Sequence, residues 1–231
     1  MRIGGLQPTS LIDYPGRISC VIFLAGCNFR CPYCHNPQLT GDPAHHAEGV
    51  PPDEVFAFLE QRRGRIDGVV VSGGEPTLHP DLPELCRRIR GLGFAVKLDT
   101  NGSRPEMLAG LLAEGLVDYV AMDLKTDPER YGETVAPGCD AGTLAASVAA
   151  VMGSGIDYEF RTTCVRPFVT LEAVERIARF IRGCRLYVLQ PFRAGEILAP
   201  GFCDGDPGLS EAEMAELARH AGRWVERCQV R

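Results

Sequence analysis

Short apolar runs alternate with longer amphipathic stretches along this chain, and the apolar runs number six: RISCVIFLAG, IDGVVVSGG, GFAVKLDTNG, VDYVAMDLK, DYEFRTTCV and CRLYVLQPF. Each is rich in β-branched or aromatic residues and bounded by Gly, Pro or Asp, which is the pattern of a buried strand. Between them PPDEVFAFLEQRRG, HPDLPELCRRIRGLG, RPEMLAGLLAEG, AGTLAASVAAVMGSG and TLEAVERIARFIRG place apolar residues at helical spacing and run out at a glycine. A last helix is predicted in SEAEMAELARHAGRWVERC, where Ser210 and Glu213 stand in capping-box spacing and Met214, Leu217, Ala221 and Trp224 form the apolar stripe.

Strands alternating with helices imply parallel pairing through right-handed crossovers. The expectation is a single α/β domain over residues 1–231. Its sheet is either open and doubly wound or, as we expect, a partial (β/α)6 TIM-like barrel. The barrel core is expected over about 17–192, after an N-terminal extension (1–16) and before a C-terminal loop and helix (193–231).

The composition is that of a folded soluble chain, 45% hydrophobic and 23% charged over 231 residues, and the net charge of −6 gives no nucleic-acid footprint or basic membrane face. No apolar run approaches the roughly 20 residues of a membrane span, and the N-terminal stretch lacks the order of a signal peptide, so a cytoplasmic location is the expectation. Ten cysteines are present. Seven of them (Cys20, Cys86, Cys139, Cys164, Cys184, Cys203 and Cys228) show no short mutual spacing and read as buried small hydrophobes.

The other three change the picture. Cys27, Cys31 and Cys34 lie in the polar loop GCNFRCPYCHN. With His35 they make a conceivable Cys3His zinc site, although structural zinc usually draws its ligands in two separated pairs. Short cysteine spacing on one loop is otherwise the signature of an iron–sulfur cluster. Three thiolates on a four-iron cube leave one iron open to an exogenous ligand.

The C-x3-C-x2-C spacing, with Tyr33 before the last cysteine, resembles the radical S-adenosylmethionine superfamily, and four other strands agree with it. The second carries SGGEP, Gly73–Gly74–Glu75–Pro76, whose glycines allow close approach to the backbone; the resemblance implies that this element holds the methionyl amino group. The third ends KLDTNG with Asp99 at the strand mouth. The fourth ends MDLK, with Asp123 and Lys125 on one strand face, an acid and a base suited to a zwitterion. On the fifth, Arg161 stands among apolar neighbours, where an unpaired charge is costly, and is expected to face a ligand carboxylate.

The stretch LIDYPGRIS…FLAGCNFRCPYCHNPQL further resembles the activating enzymes of glycyl radical enzymes, above all the anaerobic ribonucleoside-triphosphate reductase activating type, with pyruvate formate-lyase activating enzyme close by. That resemblance implies one [4Fe–4S] cluster on Cys27, Cys31 and Cys34, which are then both metal-binding and catalytic. It also implies S-adenosylmethionine bound among Tyr33, Asn36, Gly73, Gly74, Glu75, Asp99, Asp123, Lys125 and Arg161, with Tyr33 near adenine. A monovalent cation site at Asp99, Thr100 and Asp123 belongs to the same expectation. The implied activity is reductive cleavage of S-adenosylmethionine, followed by hydrogen abstraction from a glycine Cα of a partner glycyl radical enzyme. A flavodoxin or ferredoxin supplies the electron. Where related activators carry a His after the last strand, this chain has Gln190 and Arg193. The competing readings are a radical enzyme with a small-molecule substrate, of the 7-carboxy-7-deazaguanine synthase type, and a zinc-stabilised binding module.

Overall fold

The computed structural model describes residues 1–41 and 49–231. Its sheet has eight strands in sequential order: β1 (Ile3–Ser10), β2 (Ser19–Leu24), β3 (Gly68–Gly73), β4 (Ala95–Thr100), β5 (Tyr119–Asp123), β6 (Asp157–Cys164), β7 (Tyr187–Pro191) and β8 (Cys228–Val230). Strand β1 pairs antiparallel with β2, and every later pairing is parallel. The crossovers are α1 (Pro52–Gln61), α2 (Leu82–Gly91), α3 (Pro105–Ala113), the one-turn α4 (Tyr131–Thr134) with α5 (Ala141–Gly153), then α6 (Leu171–Phe180) and α7 (Glu211–Ala221).

Strand order decides between the two expected sheets. A doubly wound sheet reverses direction at a switch point, and this one never does. Right-handed crossovers that always step the same way put every helix on one face, and the sheet curls with its other face inward. The main core therefore lies between strands and helices, with Ile22, Val71, Leu98, Met122 and Phe160 against Leu59, Leu85, Leu111, Val148 and Ile177. A smaller apolar cluster of Tyr14, Val21, Val70, Tyr119 and Ala121 fills the base of the concave face. The sheet's two ends are β1 and β8, so the barrel is partial.

Six of the eight strands and all the long helices fall where the hydrophobic pattern places them. Three differences stand. Residues expected to form an N-terminal extension continue the sheet as β1. A short β8 follows α7. The last helix ends at Ala221, so Trp224 lies beyond it, stacked beneath the guanidinium of Arg179 at 4.6 Å. The Ser210–Glu213 capping box is formed in both directions. Among the described residues, no helix is long and apolar enough to cross a membrane.

Candidate active site

The C-terminal ends of β2 to β6 converge on a cavity of about 230 Å³ lined by Cys27, Cys31, Tyr33, Cys34, Asn36, Gly73, Gly74, Asp99, Asp123, Lys125 and Arg161, with Phe29, His35, Thr40, Ser72, Thr100, Asn101 and Thr163 completing the wall. Eleven of the twelve sequence-expected site residues thus face one space. The twelfth, Glu75, does not.

The cysteine loop leaves β2 and is pinned at its start. Cys27 N–H donates to the Gly41 carbonyl at 2.8 Å and Gly41 N–H returns a bond at 3.2 Å, while Gly26 N–H donates to Leu39 at 2.8 Å. A tight turn follows, with Cys34 N–H donating to the Cys31 carbonyl at 3.1 Å. The end of β3 packs directly on this loop: Gly74 N–H donates to Leu24 at 2.8 Å and Glu75 N–H to Gly26 at 2.7 Å. The glycines also have a packing role within the protein. Gly73 sits at φ +121° with a would-be Cβ 2.3 Å from the Leu24 carbonyl oxygen, and a Cβ on Gly74 would lie 2.0 Å from that of Gly26. The close approach that demands glycine is made by the protein's own backbone, at the end of β2 for Gly73 and in the cysteine loop for Gly74.

Glu75 is fully buried behind that loop. Its Oε1 accepts from Thr77 N–H at 3.0 Å and from the Thr100 hydroxyl at 2.7 Å, and its Oε2 accepts from Asn101 N–H at 2.6 Å. Burial raises its pKa against the lowering effect of these donors. Glu75, expected to bind the cofactor, ties the end of β3 to the turn after β4.

The three thiols fit a cluster better than a single ion. Burial pushes the Cys27 thiol up to about 12 and the Cys31 thiol up to about 11, so holding them as thiolates at neutral pH requires a bound cation. Among the described residues no three His, Cys, Asp or Glu side chains converge on a single-ion site. The thiols stand around a cavity wall, and a four-iron cube presents corners rather than a point. The Cys27 sulfur already has a backbone partner, since Phe29 N–H donates to it at 3.4 Å. His35, the fourth ligand of the zinc reading, is engaged elsewhere. Its Nε2 lies 2.8 Å from the Arg193 carbonyl and its ring stacks on Phe192 at 5.5 Å. These residues would hold a cluster by three thiolates.

Next to the thiols runs a ladder of buried charge. Lys97 pairs with Asp99; Arg161 bonds Asp99 Oδ2 at 3.3 Å and, through Nε, Asp123 Oδ1 at 2.7 Å; Lys125 Nζ bonds Asp123 Oδ2 at 2.8 Å. Burial opposes ionisation of Asp99 and Asp123, yet Arg161 with Lys97 on one side and Lys125 on the other holds both carboxyls below their usual range. Asp123 correspondingly raises Lys125 and Arg161 despite their burial. The ladder holds three basic and two acidic side chains, one basic group in excess, which suits an incoming carboxylate. Lys97 was not anticipated; its place two residues before Asp99 in AVKLDT, on the same strand face, is the signal that reveals it. The ladder also bears on the monovalent cation expectation. Lysine and arginine nitrogens hold Asp99 and Asp123, and the Thr100 hydroxyl donates to Glu75.

A further feature has no counterpart in the sequence reading. The segment after β7 folds over the cysteine loop, with Leu198 N–H donating to the Cys34 carbonyl at 3.2 Å and Ala199 N–H to Pro32 at 2.9 Å. It brings Phe202 into stacked contact with Phe168 at 5.8 Å and within 6.0 Å of the Tyr33 ring, making an aromatic wall behind the loop. Arg193 contributes its carbonyl to His35, and Gln190 does not line the cavity.

With that geometry in place, residues 21–181 match the radical SAM superfamily. The chain belongs to that superfamily. Within it, the chain belongs with the glycyl-radical-activating enzymes. It is 34% identical over 99% of its length to a Methanocaldococcus jannaschii protein, MJ1227, provisionally named a glycyl-radical enzyme activating enzyme, and spans 95% of that relative. The pyruvate formate-lyase-activating enzyme of Listeria monocytogenes is 31% identical, over 56% of this chain and 56% of its own length. Among solved structures, the Streptococcus suis enzyme SuiB bound to S-adenosylmethionine superposes with a TM-score of 0.70 at 15% identity, over 91% of this radical SAM chain and 49% of SuiB. The superposition shows a shared fold. The superfamily implies a [4Fe–4S] cluster and S-adenosylmethionine, and the thiol loop and charge ladder suit that pair.

Proposed function

We propose that this radical SAM chain activates a glycyl radical enzyme, and that its partner is an anaerobic ribonucleoside-triphosphate reductase. The observation that carries the reading is a juxtaposition. One cavity wall bears three thiols from a single loop, and beside them stands a buried charge ladder with one cation in excess. That is a place for a cluster with an open corner next to the amino acid end of S-adenosylmethionine. Full-length similarity to an activating-enzyme relative supports the activase class, whereas a 7-carboxy-7-deazaguanine synthase of Halobacterium salinarum matches over only 38% of the chain.

When bound, the cluster would supply one electron for reductive cleavage of S-adenosylmethionine, chemistry that would serve to remove a hydrogen atom from a glycine Cα of the partner. The chain's own residues do the rest. Cys27, Cys31 and Cys34 hold the cluster. Arg161 and Lys125 present positive charge to the methionyl carboxylate, while Asp99 and Asp123 keep both cations fixed and take up the ammonium side. Tyr33 and Asn36 line the wall on the adenine side. The partial barrel leaves the cavity open to a protein loop. Cys27 and Cys34 are partly exposed, so an electron from a flavodoxin or ferredoxin has a short route in. The site of action we assign is the cytoplasm, whose reducing conditions keep such thiols free.

The test is anaerobic incubation of reconstituted protein with the reductase, S-adenosylmethionine and a one-electron reductant. A glycyl radical doublet in the electron paramagnetic resonance spectrum is expected. A doublet obtained only with pyruvate formate-lyase reassigns the partner, and its absence with every glycyl radical enzyme tried rejects the activase reading.

A further inference from the structure

Beneath the charge ladder lies a further ion pair, between the fully buried Glu159 and the part-exposed Arg231. Glu159 is fully buried on the concave side of β6, two residues from Arg161 and therefore on the same strand face. Its Oε1 receives Arg231 Nη2 at 2.6 Å, and its Oε2 accepts from the Tyr119 hydroxyl at 3.1 Å. Tyr119 connects this pair to the ladder, because its ring centroid stands 6.0 Å from Lys97 Nζ. Arg231 is held in reach by the sheet itself: β8 adds to β7, and Arg231 N–H donates to the Leu189 carbonyl at 3.0 Å.

The position of Glu159 poses an electrostatic problem that Arg231 solves. The ladder carries one positive charge in excess, and a bare carboxylate two residues below Arg161 would cancel it. Fields between buried groups are weakly screened, so the cancellation would be felt at the ligand end of Arg161.

We propose that Arg231 is a positioning residue which, by neutralising Glu159, keeps the excess positive charge of the Lys97–Asp99–Arg161–Asp123–Lys125 ladder available to the carboxylate of the bound amino acid moiety. The inference rests on the proposed reading of that ladder as the site for the methionyl end of S-adenosylmethionine.

The experiment compares two ligands of the cluster-loaded protein under anaerobic conditions: S-adenosylhomocysteine, which has the amino acid carboxylate, and 5′-methylthioadenosine, which lacks it. In Arg231→Gln the affinity for S-adenosylhomocysteine is expected to fall by about tenfold while that for 5′-methylthioadenosine stays within about twofold. Arg231→Lys should recover most of the loss. The double variant Glu159→Gln/Arg231→Gln should recover it too, because no uncompensated carboxylate remains. Equal weakening of both ligands, or no recovery in the double variant, overturns the inference and leaves Arg231 a structural residue. Should the wild-type protein bind both ligands equally well, the ladder is not a carboxylate site, and the proposed reading fails together with this inference. If Arg231→Gln alone does not fold, the double variant and Arg231→Lys carry the comparison against wild type.

Discussion

The carboxylate of Glu75 and the backbone N–H of Asn101 meet at 2.6 Å, across the gap between the ends of β3 and β4. With its other oxygen Glu75 also gathers Thr77 and Thr100, so a single acid fixes the two strand ends that carry Gly73, Gly74 and Asp99. Glu75→Gln cannot satisfy this set. An amide nitrogen facing Asn101 N–H leaves a buried donor unpaired, and the flipped amide abandons the other donors. The variant is expected to lose about 1–3 kcal/mol of unfolding free energy by denaturant titration. Its affinity for S-adenosylmethionine should fall as well, since both strand ends loosen. An unchanged midpoint would show that the turn repacks without Glu75.

Gly74 offers a steric version of the same test. A Cβ there would meet the Gly26 carbonyl oxygen at 2.0 Å and the Leu39 carbonyl oxygen at 2.7 Å, both backbone atoms of the cysteine loop. Gly74→Ala therefore has to push the loop from β3 and should lower both stability and iron content after reconstitution. Gly91→Ala is the control. It ends α2 with open space around it, and there alanine is expected to stabilise by about 0.5–1 kcal/mol. Equal iron content in the two variants would contradict a role for Gly74 in seating the loop.

The particular elements show why some of this was legible in the sequence and some was not. Strands such as GVVVSG and YVAMD are buried on both faces and announce themselves by apolar residues alone. Strand β1, IGGLQPTS, buries only Ile3 and Ser10 and carries two glycines and a proline, so no hydrophobic pattern marks it; its place comes from pairing with β2. The three residues of β8 are too few for any periodicity. The thiol loop, Asp99, Asp123, Lys125 and Arg161 were legible because each stands at the end of a recognisable strand. That Glu75 is buried off the cavity was not legible, because a motif lists neighbours in sequence without saying which of them turn inward. The aromatic wall of Phe168 and Phe202 was invisible, since it depends on how a long irregular segment returns across the cysteine loop.

Asp123 predicts a pH dependence. Burial would raise its carboxyl, but Arg161 and Lys125 hold it below the usual range, so the folded state binds its proton less tightly than the unfolded chain does. The stabilisation is then fully present above the unfolded value of about 3.9 and is lost as pH falls through the lower folded value. Asp123→Asn, which leaves Arg161 and Lys125 under-compensated, should cost about 3 kcal/mol near neutral pH. The difference from wild type should stay constant from about pH 8 to pH 5 and shrink only below about pH 4. Thermal unfolding of both proteins across that range checks this, and a gap that closes already above pH 5 contradicts the pairing.

Lys125 separates binding from folding. It donates to Asp123 at 2.8 Å, but Asp123 retains Arg161 at 2.7 Å when the lysine is gone, so the buried carboxylate is not orphaned. Lys125→Ala also removes the ladder's excess charge. The expected outcome is an affinity for S-adenosylmethionine lower by about ten- to a hundredfold, with an unfolding free energy changed by less than that for Asp123→Asn. Equilibrium binding and denaturant titration on one preparation give both numbers. Unchanged affinity would return Lys125 to a purely structural ion pair.

The thiol loop yields the sharpest contrast between two cysteines. Cys31 is buried in the cavity wall, whereas Cys203 lies beside Phe202 in the covering segment and does not line the cavity. If three thiolates hold the cluster and nothing else does, Cys31→Ala should lose most of its iron and acid-labile sulfide after anaerobic reconstitution and all cleavage of S-adenosylmethionine. Its circular dichroism should stay that of a folded β/α protein, because a buried Cys→Ala change removes one sulfur from an otherwise intact core. Cys203→Ala should keep its full iron complement and its cleavage rate. Stoichiometric zinc in the wild-type protein, or iron loss in Cys203→Ala equal to that in Cys31→Ala, would show that the ligand set is not the one the cavity displays.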